Sequence, residues 1–220
     1  MNEPPDAEFL LPLFPLPNLV FFPQTRMPLH VFEPRYRKMI ADVLARDQRF
    51  GIVLLRPGYE ADYAAAPPVH ACGTMGRIEQ SVPLEDGRYN ILVYGESRFR
   101  IIDEPSREPY RTARVAARPQ VTSDANAAYG QRAWLSELSL QYLHYFPEQE
   151  EVPEIETVGL EALTNALIMS LNLDITEKQR LLEIDDIVVR AADVATELEH
   201  RIENLQFLAP FRHGGDPRKN

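Results

Sequence analysis

Arg98, Arg100, Arg107, Arg111, Arg114 and Arg118 form the one basic series in this chain, and a run of guanidinium groups is what a phosphate backbone attracts. Asp103, Glu104 and Glu108 interrupt it. Arg98 and Arg100 are two residues apart, so on a strand they share a face and turn Phe99 to the opposite one. Readers of single-stranded nucleic acid add exposed aromatic rings to such a stripe, and an inward Phe99 cannot serve. The series reads first as a solvated sheet face; RNA binding through Arg98 and Arg100 is the alternative function.

Other reactive residues do not assemble into a site. The lysines Lys38, Lys178 and Lys219 follow Arg37, Glu177 and Arg218, so none sits in a phosphate-cradling Gly-Lys-Ser/Thr loop. Gly95-Glu96-Ser97-Arg98-Phe99 lacks the second glycine of a nucleophile elbow and reads as a turn into a strand. The histidines His30, His70, His144, His200 and His213 include no i, i+4 pair. His70-Ala71-Cys72 offers two potential ligands pointing the same way, and a structural cysteine in a sheet is the simpler reading. The acidic pairs Asp103-Glu104, Glu150-Glu151 and Asp185-Asp186 stand beside turns or helix starts, where solvation and capping account for them. No catalytic residue, metal ligand or cofactor site is nominated.

Composition narrows the classes further. The chain has 220 residues, 45% hydrophobic and 25% charged, enough for one large core or two modest ones. Its single cysteine, Cys72, excludes an internal disulfide and points to a cytosolic address. Residues 1–13 carry no Lys or Arg but do carry Glu3, Asp6 and Glu8, and prolines cut the adjoining apolar stretch, so neither a signal peptide nor a membrane span is expected. The net charge is −10, and residues 121–220 hold 18 acidic against 8 basic side chains. That excess repels nucleic acid at long range and disfavours it as a partner.

Residue pattern places the positioning elements. Thr74–Val82 and Arg88–Tyr94 flank Leu84-Glu85-Asp86-Gly87, a hairpin signal. Gly51–Leu55, Ser97–Ile101 and Arg111–Ala117 read as strands, the last closing the sheet. Prolines divide the N-terminal region into a short strand over Pro12–Leu16, a loop through Phe22-Pro23 and a second strand near Leu29–Phe32. Tyr36, Met39, Ile40, Val43 and Leu44 have helical spacing behind Pro34, which suits a first helical position after Glu33.

Arg118–Asp124 reads as a linker, and the chain beyond it reads as helical. Trp134, Leu135, Leu138, Tyr142 and Tyr145 make one face, and Pro147–Pro153 is a loop. Leu160, Leu163, Leu167 and Leu171 make the next face. Asp174-Ile175-Thr176-Glu177 opens a short helix, and Asp185 or Asp186 caps the last one, whose Val188, Ala191, Ala195, Leu198, Ile202 and Leu205 step by three and four. Four helices with short connections would make a small bundle.

Leu11-Pro12-Leu13-Phe14-Pro15-Leu16, Phe22-Pro23, Pro28-Leu29 and Val31-Phe32-Glu33-Pro34-Arg35-Tyr36 resemble the opening of the Lon protease N-terminal, or substrate-binding, domain. Gly73–Ile78, Asp86–Val93, Arg98–Ile101 and Glu177–Glu183 are similar to later motifs of that family, in the same order, and the resemblance covers about residues 9–207. It implies an α+β fold: a PUA-like pseudo-β-barrel with one inserted helix over residues 1–120, then a C-terminal helical bundle over 121–212 and a polar tail over 213–220.

The ATPase and Ser/Lys peptidase modules of full-length Lon proteases are not seen in this sequence, so the expectation is a non-catalytic, stand-alone bacterial protein without cofactor. Its expected partners are unfolded or extended polypeptides, with a protease or other protein as a possible second partner. The expected contact surface is a groove near the proline-rich loop and first helix, where Phe21, Phe22, Met27 and Tyr36 offer apolar contacts and Glu33 and Arg35 polar ones.

Overall fold

A computed structural model describes residues 8–59, 67–146, 155 and 157–212; the expected loop at 147–153 and tail at 213–220 lie outside them. Six strands, β1 (Glu8–Leu16), β2 (Arg26–Val31), β3 (Arg49–Leu54), β4 (Cys72–Pro83), β5 (Tyr89–Ser106) and β6 (Thr112–Ala117), form one sheet in the order β2-β5-β4-β3-β1-β6. Because β5 also pairs with β6, five strands close into a ring and β2 is left as the appended edge. The β1–β3 pair is parallel and the others are antiparallel. Five helices are described: α1 (Pro34–Leu44), α2 (Ala125–Leu143), α3 (Leu160–Ser170), α4 (Ile175–Glu183) and α5 (Ile187–Arg212). Among the described residues no helix is long and apolar enough to cross a membrane.

The expected strand over Pro12–Leu16 is present and starts earlier, at Glu8, with Pro12 and Pro15 inside it. Leu13 donates its N–H to the Arg111 carbonyl on the β6 side, and Leu16 accepts from Leu55 on the β3 side. Backbone direction alternates along a strand, so Pro12 faces β3 and Pro15 faces β6. Pairing with β6 covers Glu8–Pro12 and pairing with β3 covers Leu13–Leu16. Each missing N–H therefore points to the side where β1 has no partner at that residue, and the strand changes neighbours without losing a ladder bond.

The expected turn at Gly95 is absent. β5 runs straight through it, with Glu96 as the extra residue of a bulge between the Met75–Ser97 and Gly76–Gly95 pairs. Gly95 exchanges backbone bonds with the loop before β2, accepting from Gln24 N–H at 2.8 Å and donating to Thr25 carbonyl at 2.9 Å. A side chain at Gly95 would meet the Phe22 carbonyl, so the residue is needed for close approach. The Asp86-Gly87 hairpin forms as expected, with Gly87 at φ 81°.

Two cores share this unit. Leu11, Leu13, Val53, Leu55, Phe99 and Val115 fill one side, with the Phe99 ring against Gly51 and Gly73, where any Cβ would overlap it. α1 buries Tyr36, Met39, Ile40 and Val43, the face its spacing predicts, against Phe14, Phe21, Phe50, Ile78 and Val93.

The chain divides into two compact units, residues 1–121 with 168–185, and residues 122–167 with 186–220. This differs from a bundle spanning 121–212: α4 belongs with the sheet. Arg98, on β5 and only 2% exposed, holds it there. Its guanidinium donates to the carbonyls of Leu182 at 2.9 Å, Ile184 at 2.7 Å and Pro119 at 2.9 Å, and lies 3.1 Å from Asp185. Arg118 donates to Glu183 carbonyl at 2.6 Å and pairs with Asp185 at 2.7 Å. Gln179 of α4 donates to Cys72 carbonyl at 3.1 Å.

In the second unit, Asp124 caps α2 by accepting from Asn126 and Ala127, and Asp186 accepts from Val188 at the start of α5. Leu135, Leu138, Leu163, Val194, Leu198 and Ile202 are buried there. Trp134, expected on the apolar face, is exposed instead and donates to Glu199 at 3.0 Å.

The Arg98 contacts predict two outcomes. Arg98→Met strands three carbonyls and should cost about 3 kcal/mol or more in chemical denaturation; a loss under about 1 kcal/mol contradicts the contacts. The Arg118 hydrogen bond, ahead of its charge and that of Arg98, holds the Asp185 carboxyl below its ordinary range. Its stabilisation is thus complete above about pH 4 and is lost as pH falls further toward the lowered folded value. Asp185→Asn should be less stable at neutral pH and lose less stability between about pH 5 and 3, read from denaturation midpoints across that window.

Candidate functional site

The edge strand β2 alternates buried and exposed residues. Met27 and Val31 turn inward, Pro28 and His30 turn outward, and the next outward position is Phe32, which is 60% exposed. His30 stacks on Phe32 with ring centroids 6.2 Å apart and planes 24° from parallel. The Asn90 carboxamide oxygen lies 2.7 Å from His30 Nδ1, so that nitrogen carries the proton, and Nε2 accepts from Arg88 at 3.2 Å.

Asn90 on β5 is the cross-strand neighbour of His30 on β2 and of Val82 on β4, so all three share one face. Val82 is 57% exposed. The result is a row across three strands, Val82–Asn90–His30, ending in the Phe32 ring. Exposed aromatic and aliphatic groups side by side on a sheet face can cover an apolar side chain of a partner.

Polar groups border this row. Glu33 and Arg35 form an ion pair at 2.9 Å, and the Arg35 guanidinium lies 4.6 Å from the Tyr36 ring centre. Farther along the same face, Arg26 stacks on Tyr94 at 5.0 Å and pairs with Glu79 at 2.8 Å. Pro28 sits in the middle of the free β2 edge, where it interrupts the row of donors that strand addition would use. The face is suited to contact through side chains.

Of the six residues expected to contact a polypeptide, Phe21, Phe22, Met27 and Tyr36 are buried and cannot be reached. Phe21 and Phe22 are drawn inward because their carbonyls accept from Thr74 at 2.5 Å and Thr25 at 2.7 Å, while Met27 and Tyr36 join the core under α1. Glu33 and Arg35 are half-buried. Glu33 occupies the N-cap position of α1 without a side-chain capping bond. Sequence reasoning missed Phe32, His30 and Val82, although strand alternation with Met27 turned inward puts Pro28, His30 and Phe32 on the outward series.

The arginine series does not make a stripe. Arg98 and Arg111 are buried, the latter paired with Glu104 at 2.6 Å, and Arg114 and Arg118 face Asp103 and Asp185. Arg98 is therefore unavailable to RNA, because α4 and its flanks cover the part of the strand face that carries it. Arg100 remains exposed. Burial pushes the Cys72 thiol up, against the neighbouring Arg118 and Arg98 charges. Among the described residues no group of three or more His, Cys, Asp or Glu could hold a metal ion.

Fold and face together define an α+β barrel domain with an aromatic surface row. Residues 10–200 match the substrate-binding domain of the ATP-dependent protease La (Lon), and the chain belongs to that family. It is 32% identical over 210 residues to Lon protease 2 of Myxococcus xanthus, covering 91% of this chain and 25% of that protein. Lon protease of Anaeromyxobacter dehalogenans is 28% identical over 208 residues, with 91% and 24% covered. The chain thus spans about a quarter of the length of these curated relatives.

Two solved structures share the fold. The Lon N-terminal domain protein from Xanthomonas campestris superposes with TM-score 0.62 at 23% identity, covering 86% of this chain and 98% of that one. The N-terminal domain of Mycobacterium avium complex Lon protease gives 0.68 at 18% identity, covering 87% and 98%.

Core and surface aromatics should separate on replacement. Phe22→Ala should cost about 3–5 kcal/mol, whereas Phe32→Ser should stay within about 0.5 kcal/mol of the parent in the same denaturation experiment. A large loss at Phe32 would mean that its ring is part of the core.

Proposed function

We propose that the chain is a non-catalytic polypeptide-binding module that docks extended, apolar segments against Phe32, Val82 and the His30 ring. Glu33 and Arg35 supply the polar rim, and Phe21, Met27 and Tyr36, which share one core cluster, support the face from beneath. The five-strand ring corresponds, in this reading, to the PUA-like pseudo-barrel expected of the family. The role is that of an adaptor or chaperone-like factor in cytosolic protein quality control, passing bound chains to a protease or another partner.

The observation that carries this reading is the 60% exposure of Phe32 on a sheet face in a member of a substrate-binding family. Phe32 stacks on the His30 ring, and Val82, 57% exposed, shares that face, so a partner's side chain would meet more than one apolar group there. RNA binding draws less support, since one of its two arginines is buried.

Fluorescence anisotropy tests the proposal. Reduced, carboxymethylated lactalbumin should bind at micromolar or weaker affinity while the native protein does not, and Phe32→Ser should weaken binding about tenfold, about 1.4 kcal/mol. Equal binding by parent and variant overturns the site. Absence of binding to unfolded chains, with salt-sensitive RNA binding lost in Arg100→Gln, would replace the function.

A further inference from the structure

A second concave site lies elsewhere in the first unit. Arg56 and Pro57 after β3, His70 to Cys72 at the entry to β4, Arg100 on β5, Arg118 after β6 and Glu183 at the end of α4 enclose a pocket of about 380 Å³. Cys72 and Arg100 are cross-strand partners, which fixes the guanidinium of Arg100 on the same face as the thiol.

The charges in this pocket are unequally engaged. Arg118 is already held by Asp185 and the Glu183 carbonyl. Arg56 donates only through Nε, to Val69 carbonyl at 3.1 Å, and its terminal nitrogens form no ion pair among the described residues. Arg100 forms neither a side-chain hydrogen bond nor an ion pair among them. Two guanidinium forks that form no ion pair among the described residues thus border one cavity in a chain whose net charge is −10.

Opposite charge stands on the wall as well. Glu183 accepts from Gln179 at 2.7 Å and lies 3.7 Å from His70 Nδ1. A lone phosphate is a poor match for this set. Its second negative charge is repelled by Glu183, it brings few donors to that carboxylate, and it leaves most of the volume empty. A ligand that joins one carboxylate to N–H donors and a short side chain satisfies both walls.

We propose that the pocket takes the C-terminal end of a bound polypeptide, with the α-carboxylate on the forks of Arg56 and Arg100 and the adjoining backbone N–H toward Glu183. This rests on the polypeptide-binding reading and adds to it a preference for free chain ends. The pocket and the Phe32 row meet different stretches of β5, at Arg100 in its second half and at Asn90 near its start. Their contributions are therefore separable.

The test is an anisotropy titration of the full chain with one dye-labelled apolar peptide in two forms. The first has a free C-terminal carboxylate; the second has a C-terminal amide and one added internal Glu, so that net charge is equal. The free acid should bind about tenfold tighter, and this preference should fall to within about twofold in Arg100→Gln, an exposed position. Phe32→Ser should weaken both forms together.

Equal binding of acid and amide overturns the pocket assignment and leaves the polypeptide-binding reading standing. A preference that survives Arg100→Gln also overturns it, because the carboxylate is then read elsewhere. If inorganic phosphate competes as well as the free acid peptide, the site is a simple anion site and the assignment fails. Binding of neither form overturns both readings.

Discussion

The first unit is organised around a helix end whose last carbonyls are taken by side chains of the barrel and the segment after it. The last carbonyls of a helix lack intrahelical donors and must be satisfied by side chains, water or a tightened turn. At the end of α4 the donors come from the sheet: Arg98 takes the Leu182 and Ile184 carbonyls and Arg118 takes that of Glu183. Gln120 continues the series at the Asp185 carbonyl. Two cations at a helix C-terminus also complement its partial negative charge. Arg98 can stay buried because these carbonyls and Asp185 replace its hydration, and α4 can stay against the barrel because Arg98 is there.

This mutual dependence shapes the strand that carries Arg98. The residue must reach outward to α4 while its neighbour Phe99 fills the barrel, so both sides of β5 are buried at this point. Phe99 in turn requires Gly51 and Gly73, since a methyl at either would occupy the space of its ring. Toward the other end of β5, the Gly95 approach to the Phe22–Thr25 loop draws both phenylalanines inward. Phe32 is the aromatic side chain of this region left outside, at the point where β2 ends and α1 begins.

Much of this was legible in residue pattern. Asp86-Gly87 between β-prone runs located the hairpin because a positive φ at Gly87 is a local requirement. Pro34 and the spacing of Tyr36, Met39, Ile40 and Val43 located α1 because both signals are internal to the helix. Arg98 was illegible for the opposite reason. Alternation correctly puts it on one face with Arg100, but only α4, far along the chain, decides that one is covered and the other exposed. Helical periodicity likewise shows that α4 has an apolar side without showing which unit buries it. The strand over Pro12–Leu16 was legible, but not its extension back to Glu8, because that part pairs with β6, far along the chain. The dense aromatic pair Phe21-Phe22 drew the candidate surface toward the core and away from Phe32.

The same constraints bear on how a partner could be held. Pro28 deprives the β2 edge of a continuous row of donors, so affinity through an added strand is not available in full. Contact must then come from side chains, chiefly one ring and one valine, with adjustable polar groups around them. So small an apolar area favours weak association that tolerates varied sequences over tight selection of one. Under the proposed polypeptide-binding reading, unfolded chains require that tolerance, and any added discrimination has to come from a feature that many chains share, such as a free terminus.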